Sequence, residues 1–142
     1  METLPLKYDI FTLAKKQIKM ITFRIEGKFT SPEIVIDKEN RIIEISGRST
    51  FNNTSWFYSN VLKWVIAFNR KELTSTTINI RLSKINDSSS KWILLIMRKL
   101  SALVPSNSIT VNWYYPPHNI DMQINGERLK LNALVPVNLI AA

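Results

Sequence analysis

The stretch INIRLSKINDSSSKWILLIMRKLSALVP, residues 78–105, decides the fold. It opens with a period of two. Ile78, Ile80 and Leu82 are apolar while Asn79, Arg81 and Ser83 are polar, which predicts a strand with one buried face. Past Asn86 the period changes. Ile93, Ile96, Met97, Leu100 and Leu103 recur at spacings of three and four, which predicts a helix with one apolar stripe, stopped by Pro105. Between the two lie Asn86-Asp87-Ser88-Ser89-Ser90, all polar and several of them good helix caps. Beyond the helix, Ile109, Val111 and Trp113 alternate with Thr110 and Asn112. A strand, a helix and a second strand at these lengths form a crossover unit, which is right-handed and pairs its strands in parallel.

The same periods extend outward on both sides. Upstream, Ile34 and Ile36, the turn Lys38-Glu39-Asn40, then Ile43 and Ile45 predict a β-hairpin closed by Gly47. Phe57, Val61, Trp64, Val65 and Phe68 predict a helix capped by Asn52, Asn53 or Thr54. Downstream, Pro116-Pro117 ends the strand, residues 120–126 read as a short helix, and Val135, Val137 and Leu139 as a last strand. The predicted order is β-β-α-β-α-β-(α)-β. The fold class is α/β, a mixed sheet packed against two main helices, over residues 29–142. Residues 1–28 read as an N-terminal extension. Phe11, Ala14, Ile18 and Ile21 suit one helical face, and Ile21, Phe23 and Ile25 suit an edge strand ended by Gly27. Met20 offers an alternative start.

Composition removes most chemistries. A chain of 142 residues suits one domain. The absence of cysteine excludes disulfides, thiolate metal sites and a cysteine nucleophile. The single histidine, His118, follows Pro116-Pro117 with no serine elbow or metal-ligand spacing beside it. Gly27, Gly47 and Gly126 are isolated, so there is no phosphate loop. The expectation is a protein that is not an enzyme and needs no cofactor or metal. No run of about 18 apolar residues is present and the N-terminus lacks a signal pattern, so the expected location is cytoplasmic, with no membrane partner.

The formal charge of +8 points to an acidic partner. A basic module for nucleic acid or an anionic surface is one reading. The aromatic load favours core or protein interface instead: Trp64 and Trp113 fall on apolar faces, and Trp56, Trp92 and Tyr114 are candidates for an exposed patch. Between Trp56 and Pro117 the only acids are Glu72 and Asp87. Asp87 thus stands among positive charges at a helix start, where backbone N–H groups and the helix dipole favour an anion or a phosphorylated hydroxyl. The plain alternative is that Asp87 and the serines only cap the helix.

Several motifs in order resemble one family. Thr30-Ser31-Pro32-Glu33-Ile34, then Ile45-Ser46-Gly47-Arg48-Ser49 with Asn53 and Phe57-Tyr58, is similar to the N-terminal half of the SiaC-type biofilm-regulation phosphoproteins. Asn86-Asp87-Ser88-Ser89-Ser90-Lys91 resembles their Asn-Thr-Ser-Ser-Ser-Lys loop. Trp113-Tyr114-Tyr115, Asp121-Met122 and Gly126-Glu127 match their C-terminal part. The resemblance implies a fold like the STAS domain of anti-sigma factor antagonists and a non-enzymatic role. It implies control by a dedicated kinase and phosphatase, with the unphosphorylated form binding and activating a diguanylate cyclase. The regulatory loop would be Asn86, Asp87, Ser88, Ser89 and Ser90, and the partner-binding residues Arg48, Ser49, Asn53 and Lys91. Three departures stand out. The family's acceptor threonine is Asp87 here, Phe51-Asn52 replaces a Pro-Glu, and Pro116-Pro117-His118-Asn119 replaces a more acidic loop. Asp87 either locks a phosphate-like state or leaves Ser88 as the acceptor, since Asp87-Ser88-Ser89 also resembles the Asp-Ser-Ser of anti-sigma factor antagonists.

Overall fold

The computed structural model describes residues 21–70, 75–105 and 108–142. The elements are β1 (Ile21–Ile25), β2 (Glu33–Asp37), β3 (Ile42–Ser49), α1 (Thr54–Arg70), β4 (Thr76–Ile85), α2 (Asp87–Leu103), β5 (Ile109–Tyr115), α3 (Ile120–Asn132) and β6 (Val137–Ala141). The six strands lie in one sheet in sequence order. β1, β2 and β3 pair antiparallel, and β3, β4, β5 and β6 pair in parallel. Each parallel step passes through one helix and advances in the same direction. Right-handed crossovers then place α1, α2 and α3 on the same face of the sheet.

The period-two residues build the core in two rows across the strands. One runs Ile36, Ile43, Ile78, Val111, Val137, and the other Ile34, Ile45, Ile80, Trp113, Leu139. All of these are buried except Leu139, which packs against the core from its margin. Each row meets the apolar stripes of the helices: Phe57, Val61 and Val65 from α1, and Ile93, Ile96, Met97 and Leu100 from α2. A fully buried aliphatic side chain contributes about 1.5–3 kcal/mol, so these rows are the main stabilising term.

The opposite face carries no helix among the described residues and is polar. Asn79, Asn112 and Asn138 stand in register. Asn112 Nδ2 donates to Asn79 Oδ1 at 3.0 Å and Asn138 Nδ2 to Asn112 Oδ1 at 3.0 Å. Arg81 lies 3.6 Å from the centre of the Tyr114 ring and 3.7 Å from the Glu44 carboxylate.

The strand expected at Ile21, Phe23 and Ile25 is present, with the Phe23 ring tilted against Trp64, centre to centre 4.0 Å. The helix expected through Phe11, Ala14 and Ile18 lies outside the described residues. Two expectations change. Three helices cover the sheet, because α3 runs 13 residues rather than ending at Gly126. Leu103, expected on the apolar stripe, is 49 % exposed at the last turn of α2.

Gly126 is a packing residue rather than a helix end. A Cβ there would sit 2.5 Å from Cδ1 and 2.7 Å from Nε1 of the Trp113 ring, and 2.8 Å from Leu139 Cδ2. The missing side chain lets α3 lie directly on Trp113, whose Nε1 donates to the Met122 carbonyl at 2.8 Å. Alanine in a helix interior ordinarily gains about 1 kcal/mol over glycine. Here the overpacking cost of about 1–3 kcal/mol or more opposes it, against a ring that is buried and hydrogen-bonded. Gly126→Ala should therefore lower the denaturation midpoint in urea, whereas propensity alone predicts a rise.

Candidate functional site

Because β3, β4 and β5 run in parallel, the helices that follow them all start at one edge of the sheet. The loop after β4 is at the centre of that edge, between the starts of α1 and α3. Open parallel sheets present their binding residues at such an edge.

Asn86 fastens the loop. Its backbone N–H donates to the Ser49 carbonyl at 2.9 Å and its Nδ2 to the Phe51 carbonyl at 3.0 Å. Its Oδ1 accepts from the Ser89 N–H at 2.8 Å, which caps α2. One side chain thus holds the helix start against the segment that leads into α1.

The three serines that follow point in three directions. Ser89 is completely buried and its Oγ accepts from Ser49 Oγ at 2.7 Å. Ser49 is buried too, and its oxygen lies 2.5 Å from the Tyr58 hydroxyl. Ser49 has one proton and gives it to Ser89, so Tyr58 donates to Ser49. This chain joins β3, α1 and α2 beneath the loop. Burial pushes the Tyr58 hydroxyl up to about 12, only partly offset by the neighbouring Ser49 and Ser89 hydroxyls. Ser90 is half-buried and donates to Asn125 Oδ1 on α3 at 3.2 Å. Ser88 is exposed, in the first turn of α2, and its Oγ is hydrogen-bonded to Thr54 Oγ1 in the first turn of α1. Asp87 is exposed at the first position of α2.

The other expected residues fall around this cluster rather than in it. Lys91 is exposed one turn further along α2. Asn53 is exposed just ahead of α1, and its carbonyl accepts from the Phe57 N–H. Arg48 is half-buried at a β-bulge beside Gly47, with its guanidinium 4.9 Å from the Phe29 ring. Gly47 has φ +103°, a conformation that favours glycine. Ser49 lies under the loop, not on the surface. Thr54, Tyr58 and Asn125 belong to the site by contact, through Ser88, Ser49 and Ser90 in turn. Tyr58 carried the one readable signal: a tyrosine within an apolar helix stripe needs a polar partner for its hydroxyl.

The aromatic side chains do not form one patch. Trp56 is exposed on the first turn of α1, Trp92 packs against the core, and Tyr114 lies under Arg81 on the opposite face of the sheet. Among the described residues, no group of three His, Asp or Glu side chains is placed to hold a metal ion. No helix among them is long and apolar enough to cross a membrane.

Comparison with known proteins bears on the family and the fold. Residues 25–142 match the family model for the SiaC family regulatory phosphoprotein. No curated protein matches the sequence. Among solved structures, the chain is similar to one in the crystal structure of the diguanylate cyclase SiaD in complex with its activator SiaC from Pseudomonas aeruginosa. The TM-score is 0.74 and the identity 21 %, covering 84 % of this chain and 99 % of that one. The apo-SiaC structure from Pseudomonas aeruginosa gives a TM-score of 0.71 at 21 % identity, over 84 % of this chain and 98 % of that one. At these identities the solved structures speak for the fold.

The buried hydroxyl chain has a pH signature. Tyr58→Phe removes one hydrogen bond and should cost about 1 kcal/mol at neutral pH. In the unfolded chain the Tyr58 phenol ionises near 10, and in the folded chain near 12. The stability tied to the neutral phenol is therefore present below pH 10 and lost as pH rises toward 12. Guanidinium melts across that range should show a steeper loss for the native chain than for Tyr58→Phe. Equal losses would mean that Tyr58 is not held neutral by the fold.

Proposed function

Since the chain belongs to the SiaC family of regulatory phosphoproteins, we propose that it acts by phosphorylation-controlled partner switching, with the Ser88 hydroxyl as the acceptor. The carrying observation is the exposure of Ser88 in a loop whose other two serines are buried (Ser89) or half-buried and bonded to α3 (Ser90). A kinase needs a hydroxyl it can reach. Ser89 is buried and hydrogen-bonded to Ser49, and Ser90 is half-buried and bonded to Asn125. Asp87 holds the family's threonine position but has no hydroxyl to phosphorylate.

The chemistry at Ser88 suits a switch. A phosphate there adds a charge of about −1.5 to −2 in the first turn of α2, where free N–H groups and the dipole stabilise it. The modification also removes the Ser88 hydroxyl proton, so that Ser88 can only accept in its hydrogen bond with Thr54, a direct tie between the starts of α1 and α2. Phosphate arrival thus changes both the charge and the packing at the exposed edge.

The partner reading rests on likeness. SiaC of Pseudomonas aeruginosa is the activator of the diguanylate cyclase SiaD. By that likeness the unphosphorylated form of this chain binds a diguanylate cyclase, and a kinase and phosphatase pair sets its state. The chain contributes binding rather than catalysis, and it needs no cofactor for that.

Incubation of the chain with ATP and the kinases of its own host, followed by intact-mass analysis and site mapping, tests this reading. One phosphate on Ser88 is expected. Ser88→Ala should abolish it, while Ser90→Ala should keep it. Absence of phosphate on the native chain, with phosphorylation of Asp87→Thr by the same kinases, would instead support a locked, phosphate-like state set by Asp87.

A further inference from the structure

We propose that the cleft between α2 and α3 receives an acidic segment of a partner protein, anchored by one large apolar side chain. The proposal rests on the reading above that the chain works by binding a protein, and it assigns a place and a chemistry to that binding.

The cleft follows from the fold. α2 packs closely along α1 but touches α3 only lightly. The gap is a hollow of about 280 Å³ with Leu94, Trp113 and Leu129 in its lining and Lys91 and Arg128 among its charged residues. A second hollow of about 420 Å³ shares Ile85, Asn125 and Arg128 with it and continues past Lys84 to the start of α3. Together they follow the 13 residues of α3, about 20 Å at 1.5 Å per residue. The two hollows adjoin at Asn125, where Ser90 of α2 donates to its Oδ1 at 3.2 Å, and a stretch of that length accommodates about six residues of extended chain running over this tie. A compact small molecule would leave most of it empty. At the far end Arg98 Nε donates to the Asn132 carbonyl at 3.0 Å and links the two helices.

Charge selects the occupant. Lys84, Lys91 and Arg128 border the groove, and none of them has a carboxylate partner among the described residues. Asp87 and Asp121 are the acids on its lining, so three cations face two acids, a formal charge of +1, within a chain of net charge +8. The apolar lining gives an anchor side chain somewhere to be desolvated, which is where interface energy concentrates. The cations then favour acidic residues on either side of that anchor.

The groove is also placed to sense the loop. Ser88 lies three residues before Lys91 on α2, so the two side chains share a helix face. A phosphate on Ser88 would draw Lys91 toward itself and repel an acidic segment. Docking in the groove therefore belongs to the unphosphorylated form.

The test is to pan the full chain against random dodecapeptides displayed on phage and to titrate the enriched peptides into isotope-labelled protein by NMR. The expected peptides carry one Leu, Ile, Met, Phe or Trp flanked by Asp or Glu. Their amide shifts should cluster on α2 near Lys91–Arg98 and on α3 near Ile124–Asn132. The double variant Lys91→Glu with Arg128→Glu should bind about tenfold more weakly or worse, while Glu44→Gln on the opposite face should bind as the native chain does. Both substituted cations are exposed, and an unchanged thermal melt of the double variant confirms its fold. Enrichment of neutral or basic peptides, shifts outside the groove, undiminished binding by the double variant, or no enrichment would each overturn the proposal. Phosphorylation of Ser88 is read by mass without any peptide, so the two readings fail separately.

Discussion

A single topological constraint sets the arrangement of this molecule. Right-handed crossovers between consecutive parallel strands place α1, α2 and α3 on one face and their starts at one edge. The candidate site is built at that edge. It brings the first turns of α1 and α2 close enough for Thr54 and Ser88 to share a hydrogen bond. It puts Asn125 of α3 within reach of Ser90. It leaves the opposite face as a polar surface knitted by the Asn79, Asn112 and Asn138 side chains.

Beneath the edge, buried hydroxyls give the loop its shape. An unpaired buried hydroxyl costs roughly 1–3 kcal/mol, so Ser89 and Ser49 are stable inside only because each has a partner. Tyr58 completes the chain by donating to Ser49. Asn86 satisfies three backbone groups from above. With Ser89 bonded inward and Ser90 bonded sideways, Ser88 is the loop hydroxyl left at the surface. The fold thereby distinguishes among three adjacent serines that the sequence presents as equivalent.

Most of the sheet and both long helices were legible in the sequence because their signals are periodic. Ile78, Ile80 and Leu82 alternate as a strand buried on one face must, and Ile93, Ile96, Met97 and Leu100 repeat as a packed helix must. The length of α3 was not legible. Gly126 reads locally as a stop, and only its contact with Trp113, distant in sequence, explains a glycine inside the helix. The loop was legible as a helix start but not in its internal division. Which serine points outward depends on Ser49, Thr54 and Asn125, which lie about 35 to 40 residues away. Ser49, expected at the partner surface, lies instead under the loop. The basic charge signals only a general attraction for an acidic partner, and the structure places Lys84, Lys91 and Arg128 in the two adjoining hollows beside α3.

The central claim is that charge placed on Ser88 controls partner binding. The direct measurement is the affinity of the host's diguanylate cyclase for two forms of the full chain, one unmodified and one carrying phosphoserine installed at position 88 during synthesis. The account predicts that the unmodified form binds and that the phosphorylated form binds at least about tenfold more weakly, a difference of about 1.4 kcal/mol or more. Equal affinity of the two forms, or tighter binding by the phosphorylated one, would contradict it.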